Sequence, residues 1–409
     1  MKVSQLNSEV CKYHNSICVL SHTDLDGYGA QAVILNMLQD ILEVTGEITY
    51  LNANYDNIIP DEVFEYEMIF ITDLSVSNSK DVSRMMQLYE RGKFIVWIDH
   101  HQSSLDIMEI NPKLREIYGK VDTRGCGTLL SWILYQMMMV AKVTSPDGDF
   151  DIEEILKEFS ELDVSDILNP ENEMFGVYPP YNQHLKYEHI PIAIKLIDDH
   201  DRHVQKYTSS SRLNVAFGVY PPFTKNPTNH FFKELLCGYD QDNFYRVMEY
   251  VNFGEDLIGW QKINQLQHLN SKGFIGYFNK EGASDIPVLC LNTSFWGSST
   301  FEPLLRKCGP DEIGYNYACI YGYFNDRWIH TIYCADPQPS SDNPSEIKNA
   351  KDIAKKFGGG GHIGAAGFTL DHPVEFLRTE PLSKAAHIFL KNEISKQIGE
   401  VRTLMSADS

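Results

Sequence analysis

Short apolar runs alternate with stretches of helical spacing over the first hundred residues. Ser16–Ser21 reads as a buried strand, and Gly27–Leu42 carries apolar residues at helical spacing. Ile48–Leu51, Met68–Leu74 and Phe94–Ile98 follow as further strands, with a helix predicted over Ser79–Arg91. Alternation of this kind implies a doubly wound parallel sheet, whose ligand site lies beyond the carboxyl ends of the strands. Another helix is predicted near Thr128–Val143, and a long one over Asn243–Asn270. From Gly273 a new α/β pattern begins, with strands near Phe274–Phe278, Pro287–Leu291, Tyr317–Phe324 and Trp328–Cys334. A loop at Pro337–Pro344, a helix, the run Phe357–Gly367 (FGGGGHIGAAG) and a final helix complete it. The expectation is an N-terminal α/β domain over 1–242, a helical linker over 243–272 and a smaller C-terminal α/β domain over 273–409.

Two segments interrupt this pattern. Asp147–Glu173 holds eleven acidic residues against one lysine, and reads as a solvated, partly helical insertion at about 145–175. The hexapeptide FGVYPP occurs at Phe175–Pro180 and again at Phe217–Pro222; one such pair does not make a repeat architecture.

Composition narrows the function classes. A net charge of −21 argues against tracking along long nucleic acid, because that affinity comes from Lys and Arg on phosphates. Short nucleotides remain open. Met1–Tyr13 lacks the apolar core of a signal peptide, and no stretch is long and apolar enough to predict a membrane span. The eight cysteines form no CxxC pair, which favours reduced thiols in the cytoplasm over a thiolate zinc site.

Three of the predicted strands end in acids and histidines. The first runs into Ser21-His22-Thr23-Asp24-Leu25-Asp26-Gly27, where His22, Asp24 and Asp26 share one side if the chain stays extended. Asp26 as a helix N-cap and Asp24 as a surface acid are the plainer alternative. Asp73 closes an apolar strand, where a carboxylate is costly unless paired or metal-bound. Asp99-His100-His101 closes the next one, and a fourth acidic cluster stands at Asp198–His203. Oxygen-rich ligands with some imidazole suit Mn²⁺ or Mg²⁺. Arg124-Gly125-Cys126-Gly127-Thr128 precedes a helix, either holding a phosphate at its N-terminus or forming a plain capped turn. Gly359-Gly360-Gly361-His362 offers backbone amides and an imidazole to a phosphate.

In order, the D-x-D-G turn, the lone Asp, the Asp-His-His triplet, the later Asp and the GGGH motif resemble the DHH/DHHA1 phosphoesterases. These include RecJ-like exonucleases, oligoribonucleases and linear-dinucleotide phosphodiesterases. The resemblance implies two divalent cations, Mn²⁺ first, with Mg²⁺ or Co²⁺ as alternatives. It implies Asp24 on one metal, Asp26 on the other, Asp73 bridging, and His100 with Asp201 on the second; Asp198 and Asp199 compete with Asp201. By the same resemblance His101 contacts the scissile phosphate and Asp99 fixes an imidazole. An extra histidine found in some relatives is Leu20 here, so His22 is either a ligand or an orienting group. An Arg that relatives carry before the GGGH motif is missing from Thr331–Cys334; Arg327 is a candidate substitute. The implied reaction is hydrolysis of short 5′-phosphorylated oligoribonucleotides, dinucleotides such as pGpG or pApA above all, with the far end held near His362. A pAp 3′-phosphatase, a cyclic-dinucleotide phosphodiesterase and a non-catalytic nucleotide sensor are the alternatives. Oligomeric state is left open, a homodimer included.

Overall fold

The computed structural model describes residues 1–10, 17–44, 46–53, 59–76, 78–145, 147–168, 190–219, 232, 241–293, 301–305, 315–324, 326–340, 343 and 346–407. The chain divides into two compact units, Met1–Glu255 and Asp256–Ser409.

In the first unit, helix α1 (Val3–Val10) precedes strand β1 (Ile17–Ser21), α2 (Leu25–Asn36), β2 (Ile48–Asn52), β3 (Met68–Thr72), α3 (Ser79–Glu90), β4 (Phe94–Asp99), α4 (Gln102–Ile110) and β5 (Tyr118–Val121). Then come α5 (Gly127–Thr144), α6 (Ile152–Glu161), α7 (Val164–Leu168), α8 (Ile192–Asp201) and α9 (Thr208–Val219). The strands form one parallel sheet in the order β2-β1-β3-β4-β5. A parallel sheet of this kind is covered on both faces, which explains why β1 and β3 are apolar and buried along their whole length. One face packs on α2 and α5 through Val33, Leu130 and Ile133; the other packs under Val82, Met85 and Leu88 of α3. In this strand order the direction of winding reverses between β1 and β3, the place where parallel sheets of this kind bind ligands, at the carboxyl ends.

The acidic segment departs from expectation. Its helix α6 buries Ile152, Ile155, Leu156 and Phe159 in the main core, each worth about 1.5–3 kcal/mol of burial. The acids lie on its other positions, so the segment is an amphipathic core helix and not a solvated insertion. Its last residues and the first FGVYPP copy lie outside the described residues, as does the end of the second copy.

Helix α10 (Gln241–Lys272) runs from the first unit into the second. There follow β6 (Phe274–Phe278), β7 (Val288–Asn292), α11 (Glu302–Leu305), β8 (Tyr317–Phe324), β9 (Arg327–Cys334), α12 (Ala350–Lys356), β10 (Gly360–Gly361), β11 (Ala365–Leu370), β12 (Phe376–Pro381) and α13 (Lys384–Ala407). Seven strands make one sheet, β10-β11-β9-β8-β7-β6-β12, antiparallel except where β7 meets β8. No described helix is long and apolar enough to cross a membrane.

Candidate metal centre

The turn after β1 is tighter than an extended strand would give. Asp24 is the N-cap of α2: its Oδ1 accepts from Gly27 N at 2.9 Å, while Oδ2 meets His22 Nδ1 at 2.7 Å. A side chain at Gly27 would strike the His22 carbonyl oxygen at 2.4 Å, so glycine is what lets the turn close. Helix begins at Leu25, and this breaks the alternation on which a shared side for His22, Asp24 and Asp26 depended. The cap is Asp24, not Asp26; Asp26 turns into the protein in the first helical turn and is 1% exposed.

Asp73 follows β3 directly, 2% exposed, with its amide on the Ile98 carbonyl at 2.8 Å. Its φ of +53° is left-handed, costing about 1–2 kcal/mol for a residue with a Cβ. Strain of this kind persists only where surrounding structure imposes it. The carboxylate points toward α2 and β4. Its Oδ1 lies 3.1 Å from His100 Nε2, while its buried Oδ2 has no hydrogen-bonding partner among the described residues.

His100 gathers the rest. Its Nε2 lies 3.1 Å from Asp201 Oδ2 and 3.7 Å from Asp26 Oδ2. Three overlapping groups result, each with donor atoms within 4.8 Å of one another: His22 with Asp24 and Asp73; Asp73 with His100 and His101; Asp26 with His100 and Asp201. Three strand ends and the last turn of α8 thus meet at the switch point. Among the acids of α8, the structure separates what the sequence leaves in competition. Asp201 faces His100. Asp198 Oδ1 accepts from Cys126 N at 2.8 Å, and Asp199 accepts the Lys206 and Tyr207 amides.

Charge makes the cluster self-repelling. Burial, followed by Asp26, Asp24, Asp201 and Asp99, pushes the Asp73 carboxyl far above its ordinary range. Burial and the charges of Asp26 and Asp24 push Asp201 up to about 8. Asp24 moves the other way: burial opposes its ionisation, but His22 and the Gly27 amide outweigh it. An unpartnered buried oxygen amid crowded carboxylates fits a cation, and the all-oxygen-and-imidazole donor set suits hard divalent ions.

His101 stands at the rim as the residue before α4, its Nδ1 2.7 Å from Asp99 Oδ1. Asp99 is fully buried, and its other oxygen accepts a very short hydrogen bond from Ser104. Burial lowers the imidazole pKa of His101, but the Asp99 hydrogen bond and charge outweigh it, and the net shift is upward.

The start of α5 reads from sequence as either a phosphate site or a capped turn, and the structure decides between them. Gly127 N donates to Asp26 Oδ2 at 2.7 Å, Thr128 N to Asp26 Oδ1 at 2.8 Å, and Cys126 N to Asp198. Arg124 binds Asp122 through Nε at 2.9 Å and Nη2 at 2.7 Å, and Asp163 through Nη1 at 2.5 Å. The amides expected to hold a substrate phosphate therefore hold this chain's own carboxylates, and Arg124 is tied to acids. Gly127 allows that approach, since a Cβ there would meet the Asp73 Cβ at 2.7 Å. Sequence reasoning missed Gly127, Thr128 and Asp198 as supports of Asp26 and its surroundings; the only signal was the glycine pair before a helix.

In the second unit Gly360 and Gly361 form an exposed edge strand, and His362 is exposed at the turn that follows. Two of the glycines have packing reasons: a Cβ at Gly359 would meet the Gly367 oxygen at 2.1 Å, and Gly361 has φ +136°. Arg327, the first residue of β9, is exposed as well.

Comparison with known proteins agrees with the first unit. Residues 16–156 match the model of the DHH family, N-terminal domain. No curated protein sequence matches the chain. Among solved structures, an uncharacterized protein of Helicobacter pylori G27 is 15% identical, over 95% of this chain and 99% of that one, with a TM-score of 0.31. RecJ of Thermus thermophilus in complex with Mn²⁺ is 11% identical over 97% of this chain, which spans about half (54%) of that RecJ, with a TM-score of 0.35. The family model, and not these distant likenesses, carries the assignment: residues 16–156 are a DHH-family domain.

Proposed function

From the premise of a DHH-family domain, we propose that the chain is a phosphoesterase that hydrolyses short 5′-phosphorylated oligoribonucleotides, dinucleotides first, to nucleoside 5′-monophosphates. One observation carries this reading: four carboxylates and three imidazoles from three strand ends and α8 gather in overlapping groups, and the buried Oδ2 of Asp73 among them has no partner among the described residues. Asp73 belongs to two of the three groups, and His100 joins the second of these to the group of Asp26 and Asp201, so Asp73 would be the ligand shared by two ions. His22, Asp24 and Asp73 would hold one divalent cation, and Asp26, His100, Asp201 and Asp73 the other. Bound there, two such cations supply Lewis acidity and an acidified water for attack on a phosphoryl group.

The chain's own groups do the remainder. Asp99 holds His101 with its Nδ1 proton directed inward, leaving Nε2 for a non-bridging phosphate oxygen. The upward shift of His101 widens the pH range over which it is cationic and balances developing charge on that phosphate. His362 and the exposed amides of its glycine hairpin are the contacts proposed for the far end of the substrate. An acidic chain of net charge −21 disfavours long polyanions, and this supports short substrates.

The test is a panel of pGpG, pApA, a long single-stranded RNA, cyclic dinucleotides, pAp and pyrophosphate, each with Mn²⁺, Mg²⁺ or Co²⁺. Fastest turnover of the linear dinucleotides is expected. Preference for pAp would replace this reading with a 3′-phosphatase, and no turnover with any metal would leave a nucleotide sensor.

A further inference from the structure

Helix α8 carries two carboxylates, three residues apart, that do different work. Asp201 faces His100 and Asp26, whereas Asp198 binds the first amide of the α5 terminus. The next two amides of that terminus bind Asp26, and the Thr128 hydroxyl adds a hydrogen bond to the Asp26 carbonyl at 2.8 Å. Three consecutive amides therefore join a carboxylate of α2 to a carboxylate of α8. They tie Asp26 to Asp198, which stands three residues before Asp201 on the same helix.

Asp198 is held to that task by Arg202, one turn on. Arg202 Nε donates to Oδ1 at 2.7 Å and Nη2 to Oδ2 at 2.5 Å, a two-point fork that a single ammonium does not reproduce. Arg202 also neutralises a buried carboxylate that would otherwise add its charge to Asp201 and Asp26. The group of His22, Asp24 and Asp73 is built differently, from the ends of β1 and β3 and the cap of α2.

We propose that Asp198 and Arg202 are positioning residues for one metal site only, that of Asp26, His100 and Asp201, through the amides of Cys126, Gly127 and Thr128. This rests on the two-metal reading above. Neither residue touches the reacting atoms; they fix how far apart two ligands stand. Displacing α5 relative to α8 opens one site, while the cap that holds Asp24 stays in place.

The experiment is a Mn²⁺ titration of the full chain, with free Mn²⁺ followed by electron paramagnetic resonance and folding checked by circular dichroism. The wild-type chain should take up two ions. In Arg202→Ala one of them should weaken roughly 10–100-fold, the range for losing a group that orients a ligand, with the other unchanged. Arg202→Lys keeps the charge but loses the fork, and should fall between the two. Asp198→Asn keeps an acceptor for the Cys126 amide and should weaken the site less than Arg202→Ala. To identify the site, Arg202→Ala is combined with Asp201→Asn, where its effect should largely vanish, and with His22→Gln, where it should add in full. Equal weakening of both ions, or of neither, in folded Arg202→Lys and Asp198→Asn overturns the proposal. A wild-type chain that binds no Mn²⁺ overturns the two-metal reading as well, whereas two ions untouched by Arg202→Ala overturn this inference alone.

Discussion

The strand ends of the first unit and the glycine hairpin of the second both carry residues that bear on phosphate chemistry, yet they are built on opposite terms. Around Asp73 three candidate groups are locked: Asp26 by two amides, Asp24 by its own helix, His101 by a buried Asp99. The hairpin at Gly360–Gly361 and His362 lies exposed, and its glycines answer to the backbone of β11. A metal centre must be preorganised against the repulsion of its own ligands, so it needs depth and many supports. A contact for a substrate's far end needs only to be present at the surface. Substitutions in the first region should therefore act through metal occupancy and chemistry, and those in the second through substrate affinity.

The largest effect is expected at Asp73. Asp73→Ala removes the shared ligand and should lower kcat by roughly 10³-fold, several kcal/mol of transition-state stabilisation, with the far-UV circular dichroism unchanged. Substantial activity in that variant would refute the centre as drawn. Asp99→Asn comes next, with a loss of roughly 10–100-fold, because the His101 imidazole loses its charged partner. The alkaline limb of its pH–rate profile should move to lower pH, since Asp99 is what holds the imidazole pKa up.

Gly127→Ala probes the wall behind the cluster. A methyl group 2.7 Å from the Asp73 Cβ should cost about 1–3 kcal/mol of stability, read by urea denaturation, and weaken Mn²⁺ binding with it. Titration gives a test with a definite sign. Asp201 is raised to about 8 and Asp73 lies far above its ordinary range, so the metal-free fold favours their protonated forms. Their contribution is fully present below the unfolded carboxyl pKa of about 4, and is lost as pH rises toward 8. Thermal stability without metal should therefore fall between pH 5 and pH 8 through these groups, and saturating Mn²⁺ should flatten or reverse that slope. An equal slope with and without Mn²⁺ would separate these carboxylates from metal binding. The smallest effect is expected at His362: His362→Ala should raise KM for a dinucleotide a few-fold, equivalent to about 1 kcal/mol, and leave kcat close to wild type. A fall in kcat with KM unchanged would contradict the contrast between the two regions.

Much of this is legible in the chain itself. Acids closing apolar strands are expensive, so Asp73 and Asp99 stand out from the residue pattern alone, and the strand–helix alternation says that they share a sheet. The helical segment at Ile152–Glu161 is misleading because its acid count hides four buried apolar positions at helical spacing. Assigning the cap to Asp26 fails for a different reason: the helix starts at Leu25, two residues before Gly27, so Asp24 becomes the cap and Asp26 turns inward.

What the sequence determined by itself, then, is the set of elements and the chemistry at their ends, because strand and helix periodicities are local and a buried charge always demands a partner. Only the tertiary structure decided which acid does what. Asp198, Asp199 and Asp201 are the same residue type within one helical turn. They part because one meets the α5 amides, one the Lys206 and Tyr207 amides and one His100. Those partners lie far along the chain in two cases of three, and only the packing of α8 against α5 and α2 brings them within hydrogen-bonding distance.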